Sequence, residues 1–515
     1  MELIEVINNF CSLFNDYIKL KFIKNTRDGK KIVVDWKTLA KDYYTNKNYK
    51  LEDLPSKFWE KPEYGMKLIL DELNEFNKIQ DKYLIALNKI SQKYFSIYNG
   101  EIWYDILDNI TKDKFFEELL KCFKLDIEIV KFVNYVNKIQ LLIDKVKPDI
   151  CNSKLLVENG TFNFETMSLE QNSYENGINF KLDFIYKPCE DDVFKNSKFY
   201  KYIQSVLPDL TVQKSLQEYF AYIVSNMDMK VEKVAFLIGS GSNGKSVLFD
   251  IVKSVLGKGM STVSLADLLK ENDTSSHLIT SSLINYCSET GNLNHTSVDL
   301  DRFKKLVSGE PIIVKLLFQN KFSVEKYCRF IVNGNKLPPV PENSNAWFRR
   351  FLIIPFEQTF SGAEKDMNLL NKILDDDGKN IFLNWVIRGY QRLKNRMRNI
   401  EECNEAWKLS KGFPFYYSKK VEEQIDKYKL SQSSSYSFLT KVEKCIGNKE
   451  ELHFVYRKYI NFCDERYLRK QNREKFIGAL LENDFIIDDD IIYDIKVNYK
   501  ETKVDGFIGI KDEKF

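Results

Sequence analysis

The sequence predicts a multidomain α/β protein, and three observations carry that reading. At 515 residues the chain has room for about three or four domains, each with a core of its own. Its middle alternates short apolar runs with helical patterns, as a parallel sheet with crossover helices requires. Its ends differ from that middle: residues 1–150 carry mainly helical periodicity, and residues 438–515 read helix, helix, then short strands.

In the first region Ile4, Ile7, Phe10, Phe14 and Ile18 share one helical face, and Ile129, Phe132, Val133, Val136 and Ile139 repeat the pattern. Asp28-Gly29 between Ile23 and Ile32-Val33-Val34 predicts one hairpin. Lys21, Lys24, Arg27, Lys30 and Lys31 around it suit either a solvated turn or a phosphate contact. The expectation for 1–150 is a mostly helical domain without an assigned role. Residues 151–230 form a compact segment with a turn at Asn159-Gly160 and a helix from Gln213 to Val224 that leads into the next strand.

Residues 239–246 read Gly-Ser-Gly-Ser-Asn-Gly-Lys-Ser, between the apolar run Val234–Ile238 and a helix with Val247, Ile251, Val252 and Val255 on one face. Strand, glycine loop and helix are what phosphate binding needs. Gly239, Gly241 and Gly244, with Ser240, Ser242 and Asn243 between them, let backbone N–H groups close on phosphate oxygens, and the helix start, up to Val247, adds positive potential. Lys245 suits the β/γ-phosphates and the Ser246 hydroxyl suits magnesium, so the expected cofactors are ATP and Mg2+.

Downstream, Leu283–Glu289 ends an apolar run in a carboxylate that could polarise water, with Ser288 where an aspartate often stands. Arg329–Asn335 ends in amides, and Asn335 could orient water or form a turn before Leu337-Pro338. Arg349 and Arg350 enter the run Phe351–Phe356; they could salt-bridge on the surface or reach a γ-phosphate held by a neighbouring subunit. Pro311–Val324 reads as a hairpin tipped by Gln319, Asn320 and Lys321, with Lys315 on its first arm. Lysine for phosphate and aromatics for bases suit single-stranded DNA, although an ordinary exposed hairpin has the same composition.

A helical segment is expected at 364–400, which closes a nucleotide-binding domain over 231–400. Residues 401–437 read as a connector, with Ser431–Ser437 as a linker. The tail 438–515 places helices at 451–465 and 471–483 ahead of strands at 485–487, 491–493 and 507–510, the order of a winged-helix module. Arg466, Arg469, Lys470, Arg473 and Lys475 cluster at the start of the second helix, where cations oppose the helix dipole and an anionic partner would explain them.

Composition narrows the classes. Lys and Arg total 77 against 74 Asp and Glu, so any nucleic-acid contact must come from local patches. The nine cysteines contain no C-x-x-C pair and there are three histidines, which argues against zinc ribbons and disulfide frameworks. No apolar run approaches the ~20 residues of a membrane span and no signal pattern opens the chain, so a cytoplasmic location, in a bacterium or an infected cell, is expected.

Taken in order, these motifs resemble the poxvirus and phage/plasmid primase-helicase family, a branch of the superfamily-3 AAA+ helicases. The residues that carry the resemblance are Leu155–Thr166, Phe236–Ser246, Cys287-Ser-Glu-Thr290, Lys304–Pro311, Asn333–Pro338, Arg349-Arg350 and Ile354-Pro-Phe356. The match is strong over about 155–400 and looser through Val455–Tyr459 and Lys475–Leu480. The resemblance implies an AAA+ P-loop domain in an ATP-driven replicative helicase of a virus or mobile element, a homo-hexamer moving 3′ to 5′ on single-stranded and forked DNA. It implies Glu289 as catalytic acid, Asn335 as sensor amide, Arg349 or Arg350 as arginine finger and Lys304 as a further lysine near the nucleotide. Lys315 and Lys321 fall on the hairpin such helicases place in the pore. Residues before 150 carry no primase constellation, so a separate primase partner is expected. The alternative is an initiator that binds origin DNA and uses ATP as an assembly switch.

Overall fold

The computed structural model describes residues 2–21, 23–25, 31–33, 62–79, 84–87, 95–122, 147–150, 153–229, 231–270, 273–287, 300–315, 321–338, 345–361, 366–398, 415–466, 468 and 470–498. No helix among them is long and apolar enough to cross a membrane.

Helix α1 (Glu2–Lys21) turns Ile7, Phe10, Phe14 and Ile18 into a core, the face its periodicity predicts. Strands β1 (Ile23–Asn25) and β2 (Lys31–Val33) pair antiparallel, with Asn25 opposite Lys31; Asp28-Gly29 lies outside the described residues. After α2 (Pro62–Ile79), three short strands join the helices expected of this region. Strands β3 (Leu84–Leu87), β4 (Phe95–Tyr98) and β5 (Trp103–Ile106) form an antiparallel sheet, followed by α3 (Asn109–Cys122). Four residues are too few for a two-residue period to stand out from a helical one. The Asn77 amide closes the sheet edge by accepting from the Ile85 N–H (3.0 Å) and donating to its carbonyl (2.7 Å). The periodic segment 129–139 lies outside the described residues.

This small sheet is tied to the next segment: the Trp103 N–H donates to the Ile178 carbonyl (2.9 Å) and its indole to the Tyr174 carbonyl (2.8 Å). That segment holds the antiparallel strands β6 (Lys154–Val157), β7 (Gly160–Asn163) and β8 (Ser168–Glu170), then α4 (Asp191–Asn196), α5 (Lys198–Val206) and α6 (Leu210–Val224). The Asp209 carboxylate caps α6 by accepting from Thr211 and Val212.

The central domain is built from β9 (Val234–Ile238), α7 (Lys245–Leu256), β10 (Met260–Ser261), α8 (Leu265–Leu268), β11 (Ile284–Cys287), α9 (Leu300–Ser308), the antiparallel pair β12 (Ile312–Val314) and β13 (Phe322–Val324), β14 (Arg329–Gly334), α10 (Asn345–Phe348) and β15 (Phe351–Pro355). Five of these strands make one parallel sheet in the order β10-β11-β14-β9-β15. Alternate residues serve two cores: Ala235, Leu237, Ile331, Leu352 and Ile354 face one, Val234, Phe236, Val332, Phe351 and Ile353 the other. Burial of both faces is why these strands read as unbroken apolar runs.

The first core is roofed by α6 and α7 together with α11 (Leu369–Asp375) and α12 (Gly378–Arg398). Between α6 and α12, the fully buried Glu218 carboxylate accepts from Arg392 (2.5 Å) and Arg396 (2.7 and 2.8 Å).

The predicted serine linker is instead helical. Helix α13 (Lys419–Gln432) ends in it and α14 (Ser434–Leu439) begins in it, with the Ser433 hydroxyl capping α14 by accepting from the Tyr436 N–H. Serine stops one helix and starts the next, while Tyr436 and Phe438 bury. The tail continues with β16 (Val442–Glu451), α15 (Leu452–Glu465), α16 (Arg473–Glu482), β17 (Ile486–Asp488) and β18 (Ile491–Val497), its sheet ordered β16-β18-β17. Strand β16 went unread because it is an edge strand, largely exposed and charged, interrupted by a bulge at Gly447 (φ 89°). The strand expected at 507–510 lies outside the described residues.

Replacing Glu218 by Ala leaves two arginines facing each other in the interior. The expected cost is about 3–5 kcal/mol in urea unfolding, with part recovered when Arg396 is also changed to Met.

Candidate functional site

The glycine loop leaves the C-terminal end of β9 and enters α7 through backbone that ordinary side chains avoid. Gly241 (φ 109°), Ser242 (φ 47°) and Gly244 (φ 87°) all have positive φ. A Cβ on Gly244 would sit 2.4 Å from Val206 Cγ1, whereas one on Gly241 would meet nothing within 4 Å. The loop is packed from behind and open in front. Helix geometry leaves the N–H groups of Lys245, Ser246 and Val247 without partners inside α7, at the positive end of its dipole.

Each side of the loop is held by a different element. The Tyr202 hydroxyl of α5 donates to the Gly244 carbonyl (2.8 Å), the Gly239 N–H to the Gly334 carbonyl at the end of β14 (3.2 Å), and the Phe360 N–H, beyond β15, to the Ser242 carbonyl (2.9 Å). The Asn243 amide donates to the Phe356 carbonyl (3.3 Å). The Lys245 amine folds back on the loop, donating to the Gly239 carbonyl (2.7 Å) and Asn243 Oδ1 (2.9 Å), and burial pulls its pKa below that of an ordinary lysine. Ser240 and Ser246 are exposed at the mouth. An open cradle of N–H groups with a lysine and an exposed hydroxyl fits a triphosphate with magnesium on Ser246.

Strand order places the other sequence candidates. Strand β14 lies between β9 and β11, and all three end on the loop side of the sheet. Asn335 is exposed just past the end of β14, whereas Asn333 within it is buried and accepts from the Tyr286 hydroxyl (3.1 Å). Ser288 and Glu289, which follow β11, lie outside the described residues. Lys304 is half-buried on α9.

The two arginines sit at the other end of the sheet. Phe351 pairs with Val234 and Pro355 with Ile238, so Arg349 and Arg350 precede the strand end farthest from the loop, roughly 13 Å or more from it at 3.3 Å per residue. They also differ from each other. Arg350 is buried, with its guanidinium on the Ser308 hydroxyl (3.3 Å) and 3.6 Å from Glu232; the Arg349 side chain is 55% exposed and pairs with Glu232 at 2.6 Å. Beside them the buried Lys233 amine has its pKa pushed down to about 7, chiefly by burial and further by Arg349 and Lys429.

Strands β12 and β13 pair from Ile312↔Val324 to Val314↔Phe322. This places Lys315 and Lys321 at the outer end, half-buried and exposed respectively; Gln319 and Asn320 lie outside the described residues. Arg302, buried, fixes the base by donating to the Leu268 carbonyl (2.6 Å) and the Ile313 carbonyl (3.0 Å). Neither Arg302 nor Tyr202 stood out in the sequence, because each acts on a segment remote in the chain and no spacing reports that.

In the tail, Lys470, Arg473 and Lys475 are exposed near the start of α16, and Arg469 lies outside the described residues. Lys470 pairs with Asp464 (2.6 Å) and Arg473 with Asp490 (2.8 Å), while Asn472 caps the helix by accepting from the Lys475 N–H (3.1 Å). Part of the positive charge is therefore compensated within the fold.

Residues 237–350 match a sequence family described as of unknown function (DUF5906). The chain is 24% identical over 220 residues to a protein of Acanthamoeba polyphaga mimivirus, and 23% identical over 223 residues to one of Invertebrate iridescent virus 3, both named "Putative helicase". These matches cover 41% and 40% of this chain but 22% and 23% of the viral proteins, so the chain spans less than a quarter of the relatives it matches. Among solved structures, the apo C-terminal region of NrS-1 aligns over 82% of this chain and 98% of its own, at 13% identity and a TM-score of 0.41.

Gly244→Ala should weaken nucleotide binding at least tenfold by fluorescence titration, because both its φ and Val206 oppose a Cβ. Val206→Ala should restore only the steric part. A second expectation concerns pH. The folded pKa of Lys233, about 7, lies below its ordinary 10.5, so between these values the unfolded chain binds the extra proton and stability rises with pH. Lys233→Met should remove that rise in denaturation curves taken across the window.

Proposed function

We propose that this chain is an ATP-driven DNA helicase of viral or mobile-element type, a superfamily-3 AAA+ motor that works as a ring. The similarity to viral proteins named as helicases supports the class. The observation that carries the ring is the separation within one sheet: the glycine loop sits at one end of β9, and Arg349 precedes the opposite end of β15. An arginine so placed serves a nucleotide only on a neighbouring copy, and its exposure leaves it able to do so. Arg350, buried against Ser308, holds α9 to β15 instead.

On this reading the loop N–H groups and Lys245 hold the β- and γ-phosphates, and Lys245 exchanges its Gly239 and Asn243 contacts for phosphate oxygens. Ser246 ligates magnesium, which offsets charge on the phosphates. Glu289 polarises the attacking water, Asn335 orients it and Lys304 adds positive charge nearby. Arg349 of the adjacent copy stabilises charge as the γ-phosphate leaves. The hairpin with Lys315, Gln319, Asn320 and Lys321 grips one DNA strand. The tail, with helix α16 and a β16-β18-β17 sheet, is read as a winged helix whose Arg469, Lys470 and Arg473 meet duplex phosphates. That tail also favours a second reading, an origin-binding initiator that uses ATP as a switch and separates no strands.

Lys245→Ala and Glu289→Gln should each lower ATP hydrolysis by at least about a hundredfold. Arg349→Ala should hydrolyse as poorly while still binding nucleotide. Mixing Lys245→Ala with Arg349→Ala chains tests the shared site, because an intact loop then meets an intact arginine at some interfaces; hydrolysis should partly return, and its failure to do so counts against the ring. The double change Lys315→Ala, Lys321→Ala should leave duplex binding by the tail and stop unwinding of a forked substrate. A wild-type protein that hydrolyses ATP but opens no fork would favour the initiator.

A further inference from the structure

One carboxylate oxygen lies against both arginines at the start of β15. Glu232 Oε2 is 2.6 Å from the Arg349 guanidinium and 3.6 Å from that of Arg350. We propose that Glu232 is a positioning residue: it holds Arg349 back from the neighbouring copy's nucleotide, and releases it when DNA on the hairpin shifts α9 and Arg350 claims the carboxylate. The inference rests on the ring reading for the destination of Arg349, and on contacts within one chain for the rest.

The two arginines are unequal competitors for that oxygen. The Arg349 pair is open to water, its side chains 55% and 37% exposed, and an exposed ion pair yields readily to a phosphate that offers more acceptors. The Arg350 side chain is 9% exposed, so a carboxylate that closes on it offsets a charge already taken out of water. Asp426 and Glu422 line a cavity with Arg349, yet among the described residues Glu232 is the carboxylate within ion-pair distance of it. Lys233, next in the chain, directs its amine to the Phe351 carbonyl (3.5 Å). Arg350 reaches the hairpin through α9. Its guanidinium meets the hydroxyl of Ser308 (3.3 Å), the last residue of α9, and Arg302 of the same helix donates to the Ile313 carbonyl of β12 (3.0 Å). A pull on the strand pair is therefore passed to Ser308 and Arg350. The exchange runs both ways: Arg349 drawn to a phosphate leaves Glu232 to Arg350, and the hairpin responds.

The test is ATP hydrolysis by the full chain with and without a single-stranded oligonucleotide. Glu232→Gln should raise the rate without DNA by about threefold or more and remove the difference between the two rates, since nothing then retains Arg349. Glu232→Asp, which keeps the charge, should keep most of the response to DNA. Ser308→Ala should leave the rate without DNA unchanged and lower the response, because Arg350 loses its hold on α9. Nucleotide binding at wild-type strength, by fluorescence titration, shows that each variant is folded. A wild type indifferent to DNA, a Glu232→Gln rate that falls, or a folded Glu232→Gln chain with the wild-type response overturns the proposal. Should that variant not fold, an undiminished response in Ser308→Ala overturns it. Arg349→Ala separates the ring reading: if it hydrolyses ATP as wild type does, that reading fails and the proposal with it. Loss of hydrolysis in Arg349→Ala beside an unaltered Glu232→Gln sinks the proposal alone.

Discussion

The central domain depends on one strand being hydrogen-bonded along both edges. Strand β9 pairs with β14 on one side and β15 on the other, and its faces feed two separate cores. A strand fixed in this way cannot tilt or slide without breaking two ladders and repacking both cores. The glycine loop leaves from its end, so the loop inherits that rigidity even though three of its positions, Gly241, Ser242 and Gly244, have positive φ.

Strand β15 links the two ends of the candidate site. Arg349 and Arg350 precede it, and the residues that follow it hold the loop through the Phe356 carbonyl on Asn243 and the Phe360 N–H on Ser242. Asn243 also accepts from Lys245, so the amine, the loop and the strand that follows the arginines form one chain of contacts. Any ligand that draws Lys245 away alters a bond that reaches β15. The segment before the sheet joins in from behind, where Tyr202 and Val206 close on Gly244. A Cβ at that point would force Val206 aside, so packing by itself favours a glycine there.

Legibility followed the length scale of the forces. Helices α1, α6 and α12 were readable because each is long and buries many apolar residues, and strands β9 and β15 because burial on both faces makes them unbroken apolar runs. The four-residue strands at 84–106 and the exposed β16 were not, since neither has enough period to register. Serine misled at 431–437, where capping looked like a linker. The asymmetry between Arg349 and Arg350 was invisible, because adjacent residues of one type differ only in what the fold puts against them.

By itself the sequence determined the local chemistry: a strand, a loop whose glycines permit positive φ, a lysine and a hydroxyl at a helix start, and a basic hairpin downstream. These follow from neighbours in the chain, and short-range sterics and periodicity record them. Only the tertiary structure decided which groups meet. Strand order put β14 rather than β11 beside β9, set both arginines at the far end of the sheet, buried Arg350 while exposing Arg349, and brought Tyr202 to Gly244. Such pairings come from burying several elements against one another at once, and no stretch of sequence contains that information alone.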